Sequence, residues 1–235
     1  MEPLARRLLI DELSDRLIIK DKKVKNIEIV ITKKSFAGII NKVFFINQTH
    51  SDKVILIDNE KQLLKLFEGD AIISSINCKI GIKTADCLPI FIYSNKGNVF
   101  AAVHSGWRGT AQRIIEKTIK FMENNLQIHK KELNFILGVC ICKNCYEIKK
   151  DMFNKFIKIF GEKGRKFFSK NIDRFDLKGA NIHILLENGI EAEQIFNLHK
   201  CSYCNNEFFS YRKGDLKSRT FNIIGTKERG KTCLL

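Results

Sequence analysis

Two prolines in 235 residues, and no tract rich in glycine and serine, leave little from which to build a linker between separate domains. With 44% of residues hydrophobic, the chain can bury a sizeable core, and the simplest expectation is one domain over 1–235. No apolar run approaches the roughly 20 residues that a bilayer span requires. The opening MEPLARRLLIDELSDRL mixes both charge signs, where a secretory signal would join a basic start to an apolar stretch and a small-residue cleavage site. A cytoplasmic protein, not bound to membrane, is the expectation. No internal repeat or low-complexity tract is evident.

Acid is also short: 26 Asp and Glu face 41 Lys and Arg, a formal charge of +15. The lysines are spread over nearly every segment, FNKFIKIFGEKGRKFFSK from Phe153 reading as solvated helix faces with apolar residues between, and no aromatic-plus-glycine RNA-binding signature occurs. Nucleic acid is therefore disfavoured as a partner, and the excess charge suits a small anion such as phosphate.

Cysteine is not short. Eight thiols without an export signal point away from a disulfide framework. Four of them form two CxxC pairs, Cys142 with Cys145 and Cys201 with Cys204, a spacing familiar from four-thiolate zinc sites. The sequence between the pairs reads as two helices and a strand, so the pairs need not meet. A structural metal, a disulfide and inert thiols all remain open.

His50, Cys87 and His104 stand in segments too specific to be core filler: NQTHSDKV, KTADCLPIF and AAVHSGWRGT. The run 43–46 reads as a buried strand leading to His50; 80–82 and 88–93 read as strands flanking the turn that holds Cys87; 99–103 reads as a strand ending on His104. Two imidazoles and a thiolate are the donors of a catalytic zinc site that leaves one position open. Gln48 either supports the strand end or touches substrate, and Asp86 either orients a ligand or caps its turn. After His104 the glycines of SGWRGT allow close backbone approach, and an amphipathic helix follows with Ala111, Ile114, Ile115, Ile119 and Met122 on one face. Its N-terminus, with the planar fork of Arg108, suits an anion. Arg212, in the aromatic run FFSYR, is a second phosphate candidate. Trp107 reads as packing, His129 as a surface residue between helix and strand, and His183 and His199 carry no role.

The segments TADCLPIF, AAVHSGWRGT, Gly138 to Ile148, FDLKGAN and CSYCNNEFFSYRKG, in this order, resemble those of the YfiH-like laccase-domain family, and the resemblance covers most of the chain from about His50 onward. It implies a single α+β domain with a mixed sheet packed between helices, and zinc held by His50, Cys87 and His104. It further implies phosphorolysis of purine nucleosides (adenosine, inosine or methylthioadenosine) with phosphate, a glycosyl transfer, accompanied by hydrolytic deamination of adenosine. Gln48, Asp86, Arg108 and Arg212 are the substrate-binding candidates. The first forty residues are shorter than the family pattern, and ITKKSFAG places Lys33 where an arginine is expected, a point charge in place of a fork.

Competing readings have their own chemistry. Family labels also name a copper-dependent polyphenol oxidase, but a multicopper centre draws on roughly ten histidines largely in HxH pairs, as imidazole is the usual copper ligand there. This chain has five, none so paired. Copper remains an alternative or adventitious ion at the His/His/Cys site. A metal-free amidohydrolase acting on peptidoglycan precursors would use Cys87 as nucleophile and His104 as base, with Asp86 or Gln48 orienting. A binding protein without turnover is the third class.

Overall fold

The computed structural model describes residues 2–226. Twelve strands in chain order build two mixed sheets. The first sheet has the order β1 (Leu8–Glu12), β2 (Arg16–Asp21), β3 (Ile27–Thr32), β12 (Thr220–Thr226), β7 (Lys79–Thr84) and β4 (Val43–Phe45). The second has the order β11 (Ile195–Asn197), β10 (Leu133–Leu137), β8 (Leu88–Ser94), β9 (Phe100–Ser105), β6 (Ala71–Ser74) and β5 (Val54–Ile57). Pairing is antiparallel except where β4 meets β7, β10 meets β11 and β5 meets β6. The α+β single domain expected from sequence is thus what is found, with the sheet doubled.

Strand periodicity explains the layering. Side chains alternate faces along a strand, and every residue of β8 and β9 is buried. Ile90 and Ile92, with Ala101 and Val103, turn one way into a core shared with α3 (Ile114–Leu126), α4 (Lys150–Phe160) and α5 (Leu177–Glu187). Phe91 and Tyr93, with Phe100 and Ala102, turn the other way and meet Ile29, Ile31, Ile80, Ile82 and Ile224 of the first sheet. The molecule is therefore three layers, sheet on sheet on helices, with the second sheet in the middle.

The expected strands match β4, β7, β8 and β9 to within one or two residues. The helix expected after the SGWRGT segment is two pieces, α2 (Trp107–Ala111) and α3, because Arg113 takes a left-handed φ of 59°. Its guanidinium is ion-paired with Glu116 and Glu187, which holds it there. The run from Phe153, read as solvated helix faces with apolar residues between, is amphipathic: Phe156 of α4 is fully buried against Phe168 and Phe175. His129 is where it was expected, between α3 and β10, accepting from the Lys131 amide.

Candidate active site

Parity along β9 places His104. Since Phe100 and Ala102 face the first sheet, His104 does too, at the strand's open end, while Ser105 faces the helices. Ser105 lies 3.0 Å from the Thr110 hydroxyl and donates to Asn181 of α5 at 2.8 Å. Asn181 in turn donates to Thr110 at 2.9 Å, so the HSGWRGT turn is bolted to α5 from behind. Across the ladder, Ala71 pairs with Val103, which sets Asp70 directly opposite His104 on the same face. The two side chains meet: His104 Nδ1 is 2.7 Å from Asp70 Oδ1. With Nδ1 committed to a carboxylate, Nε2 is the nitrogen left for a metal.

The same carboxylate shapes the loop carrying His50. Its oxygens accept from the backbone amides of Thr49 at 3.2 Å, His50 at 3.1 Å and Ser51 at 2.6 Å, and from the Ser51 hydroxyl at 2.7 Å. His50 takes φ 58° in that turn. The third donor comes from the tight connection of β7 to β8, where Asp86 has φ 82°. Asp86 accepts from Ser202 Oγ at 2.6 Å and from the Arg212 amide at 2.8 Å, which anchors the Cys87 turn to the C-terminal segment.

One donor atom from each of His50, Cys87 and His104 lies within 4.8 Å of the others, and the two imidazoles stand edge to face with centroids 5.0 Å apart. Burial by itself would push the Cys87 thiol up, but His104 and His50 beside it outweigh burial and bring it to about 6. Burial would likewise lower His104; Cys87 and Asp70 reverse this and raise it to about 9. Gly106 completes the cradle, since a Cβ there would stand 2.9 Å from Cys87 Sγ. Donor chemistry and spacing fit a site that could hold a metal ion.

The trio sits in a cleft of about 1030 Å³. Among the described residues, six cations line it, Lys83, Arg108, Lys149, Lys155, Arg212 and Arg219, against the carboxylates Asp86, Glu147 and Asp151. Trp107 and Tyr146 supply aromatic surface, with the Arg108 guanidinium 4.6 Å from the Trp107 ring centre and that of Arg212 5.0 Å from Tyr146. Arg212 also donates to the Glu147 carbonyl at 2.5 Å. Gln48 lines the cleft, yet its amide is used by the backbone of Lys83, donating at 2.9 Å and accepting at 2.7 Å, so it joins the His50 loop to β7. Lys33 lies elsewhere, buried and paired with Glu207 and Glu12. Asp70, Lys83 and Arg219 escaped sequence reading: Asp70 acts through strand register, and the other two through the turn of the chain around the cleft.

A profile of the family described as multi-copper polyphenol oxidoreductase laccase matches residues 20–227. The chain belongs to that family. It is 33% identical over 196 residues to a purine nucleoside phosphorylase of Clostridium acetobutylicum, covering 79% of this chain and 77% of that protein. It is also 33% identical over 210 residues to a purine nucleoside phosphorylase of Aquifex aeolicus, covering 86% and 94%. A third relative, the adenosine deaminase RL5 from an unknown prokaryotic organism, is 29% identical over 194 residues, covering 77% and 73%. In fold, the chain superposes on Bacillus licheniformis YfiH with TM-score 0.81 at 17% identity, over 93% of this chain and 99% of that one. Among the described residues, the one group of candidate metal donors that contains histidine is the trio of His50, Cys87 and His104, and no helix is long and apolar enough to cross a membrane.

Proposed function

We propose that this chain is a zinc-dependent purine nucleoside phosphorylase acting on adenosine, inosine or methylthioadenosine with phosphate, with adenosine deamination as a companion reaction. The observation that carries the reading is a His/His/Cys donor set at the wall of a cleft that is both cationic and aromatic. The names of the Clostridium and Aquifex relatives support phosphorolysis, and that of RL5 supports deamination.

Zinc held by His50, Cys87 and His104 would supply Lewis acidity. The chain's own residues do the rest. Asp70 holds the His104 ring through Nδ1 and the His50 backbone through its amide, so one carboxylate ties both ligand-bearing segments together. Arg108 and Arg212 present planar forks for the phosphate, each laid over an aromatic ring of the cleft wall, Trp107 and Tyr146 respectively. In phosphorolysis a phosphate oxygen forms a bond to the anomeric carbon as the glycosidic bond to the base breaks. Holding the anion and the ribose in one cleft turns that encounter into an oriented, effectively unimolecular step.

The test is to incubate the zinc-loaded protein with each nucleoside and phosphate and to separate the products. Free base and ribose-1-phosphate, or its methylthio analogue, appearing only with phosphate is the expected result. Hypoxanthine derivatives from adenosine report deamination. Absence of base release from all three nucleosides overturns the reading. One observation favours a second reading: Cys87 Sγ and a ring nitrogen of His104 lie within 4.8 Å of each other at the wall of the cleft, the sulfur and the base that a cysteine nucleophile needs. Amide hydrolysis that survives chelation and is lost on alkylating Cys87 would select it.

A further inference from the structure

Four thiols outside the cleft's donor trio, the two CxxC pairs, come together in space. Cys142 and Cys145 follow β10; Cys201 and Cys204 follow β11, with α4 and α5 between them in sequence. Because β10 and β11 run parallel and side by side, both segments leave the sheet at the same edge. The pairing continues past the strands as a parallel bridge of Cys140 to Cys201, and the Ser202 amide donates to the Cys140 carbonyl at 3.1 Å. The two CxxC turns are thereby brought face to face, and one sulfur from each cysteine lies within 4.8 Å of the others. The expectation that the pairs need not meet is corrected by this parallel pairing, whose register spacing alone does not reveal.

We propose that Cys142, Cys145, Cys201 and Cys204 form a second, structural metal site, taking one thiophilic divalent cation such as zinc in a tetrathiolate shell. A tetrahedron with zinc–sulfur bonds of about 2.3 Å has sulfur–sulfur edges of about 3.8 Å. Cys142 and Cys204 stand 3.9 Å apart and Cys145 and Cys204 3.2 Å, and all four sulfurs lie within 4.8 Å of one another, so shifts of about 1 Å or less close the shell. The turns also solvate the sulfur charge as thiolate sites require. Cys201 Sγ accepts from the Cys142 amide at 3.2 Å and from the Cys204 amide at 3.3 Å, one donor from each turn. Exposed Lys143 inside the first pair brings positive charge to a dianionic centre.

The position of the site says what it holds. Tyr146, next to Cys145, lines the cleft. Ser202, next to Cys201, donates to Asp86, the residue before Cys87, and Asp86 also accepts from the Arg212 amide. A cation binding these four sulfurs staples the two loops that set one wall of the cleft and seat the Cys87 turn. It is a positioning site, and it does not depend on which reaction the cleft performs.

The experiment counts zinc in protein purified in reducing buffer with zinc present. The wild-type chain is expected to hold two ions, His50→Ala/Cys87→Ala one, and Cys142→Ser/Cys204→Ser one. Because the serine variant removes a staple and can fail to fold, a second measurement uses only the alanine variant: cobalt added to it is expected to give the intense sulfur charge-transfer bands of a tetrathiolate centre. One ion in the wild type and none in His50→Ala/Cys87→Ala overturns the proposal, as does a loss of four hydrogens in the intact mass, which marks two disulfides in place of a metal. Loss of nucleoside turnover with two ions retained would count against the proposed function and leave this site standing.

Discussion

A carboxylate that accepts from three successive amides, a hydroxyl and an imidazole organises two ligand-bearing segments at once, and Asp70 does this for His50 and His104. Asp70→Asn keeps the shape but gives up the charge, and it is expected to lower zinc affinity and turnover about 10- to 100-fold, measured by competition with a chromophoric chelator and by product formation. Acid stability carries the same signature in metal-stripped protein. Burial would raise the Asp70 carboxyl, but His104 and Ser51 bring it from 3.8 to about 2. Its contribution is present above pH about 4 and lost as pH falls toward 2, so the wild type should lose more stability than Asp70→Asn over that window in urea titrations. Gly106→Ala, whose methyl would stand 2.9 Å from Cys87 Sγ, is expected to reduce zinc occupancy of the trio while leaving the four-cysteine site filled. His50, Cys87 and His104 were legible because their neighbours are distinctive. Asp70 was not, because its segment Glu68-Gly69-Asp70 reads as an ordinary turn and its role exists only once β6 pairs with β9.

At the scale of elements, continuous apolar runs revealed β7, β8 and β9, since strands covered on both faces carry apolar residues without alternation. The doubling of the sheet was hidden because β12 is inserted between β3 and β7 from the far end of the chain, a pairing no local pattern encodes. The two sheets are joined by a buried polar bolt. Arg7, packed just before β1, reaches Asp21 of β2 at 2.5 Å and Asn134 of β10 at 3.2 Å, and Tyr93 of β8 donates to Asp21 at 2.8 Å. Removing one partner leaves the other charge buried without compensation, so Asp21→Ala is expected to cost about 3–5 kcal/mol in chemical unfolding. A change below about 1 kcal/mol would show that water replaces the carboxylate. Sequence spacing gave the two CxxC turns but not their meeting, for the same reason that it missed β12: parallel neighbours across a helical crossover are set by tertiary packing.

For the whole molecule, a charge of +15 and a cleft rimmed by six cations make a funnel for anions. Raising ionic strength from about 0.01 to 0.15 M shortens the screening length from about 30 to 8 Å. The kcat/KM for phosphate is therefore expected to fall several-fold while kcat changes little, a split that steady-state kinetics at fixed nucleoside resolves. The distribution of lysine through the sequence signalled this field, though not that Arg219 and Lys83 share its focus. The central claim, that three donors remote in sequence converge on one ion and serve nucleoside cleavage, has a direct measurement. Protein stripped of metal and then given one equivalent of zinc beyond the four-cysteine site is assayed for phosphate-dependent release of adenine from adenosine, beside Cys87→Ala treated identically. Activity restored by zinc in the wild type and absent from Cys87→Ala is predicted; equal turnover in the two, or turnover indifferent to zinc, would contradict the account.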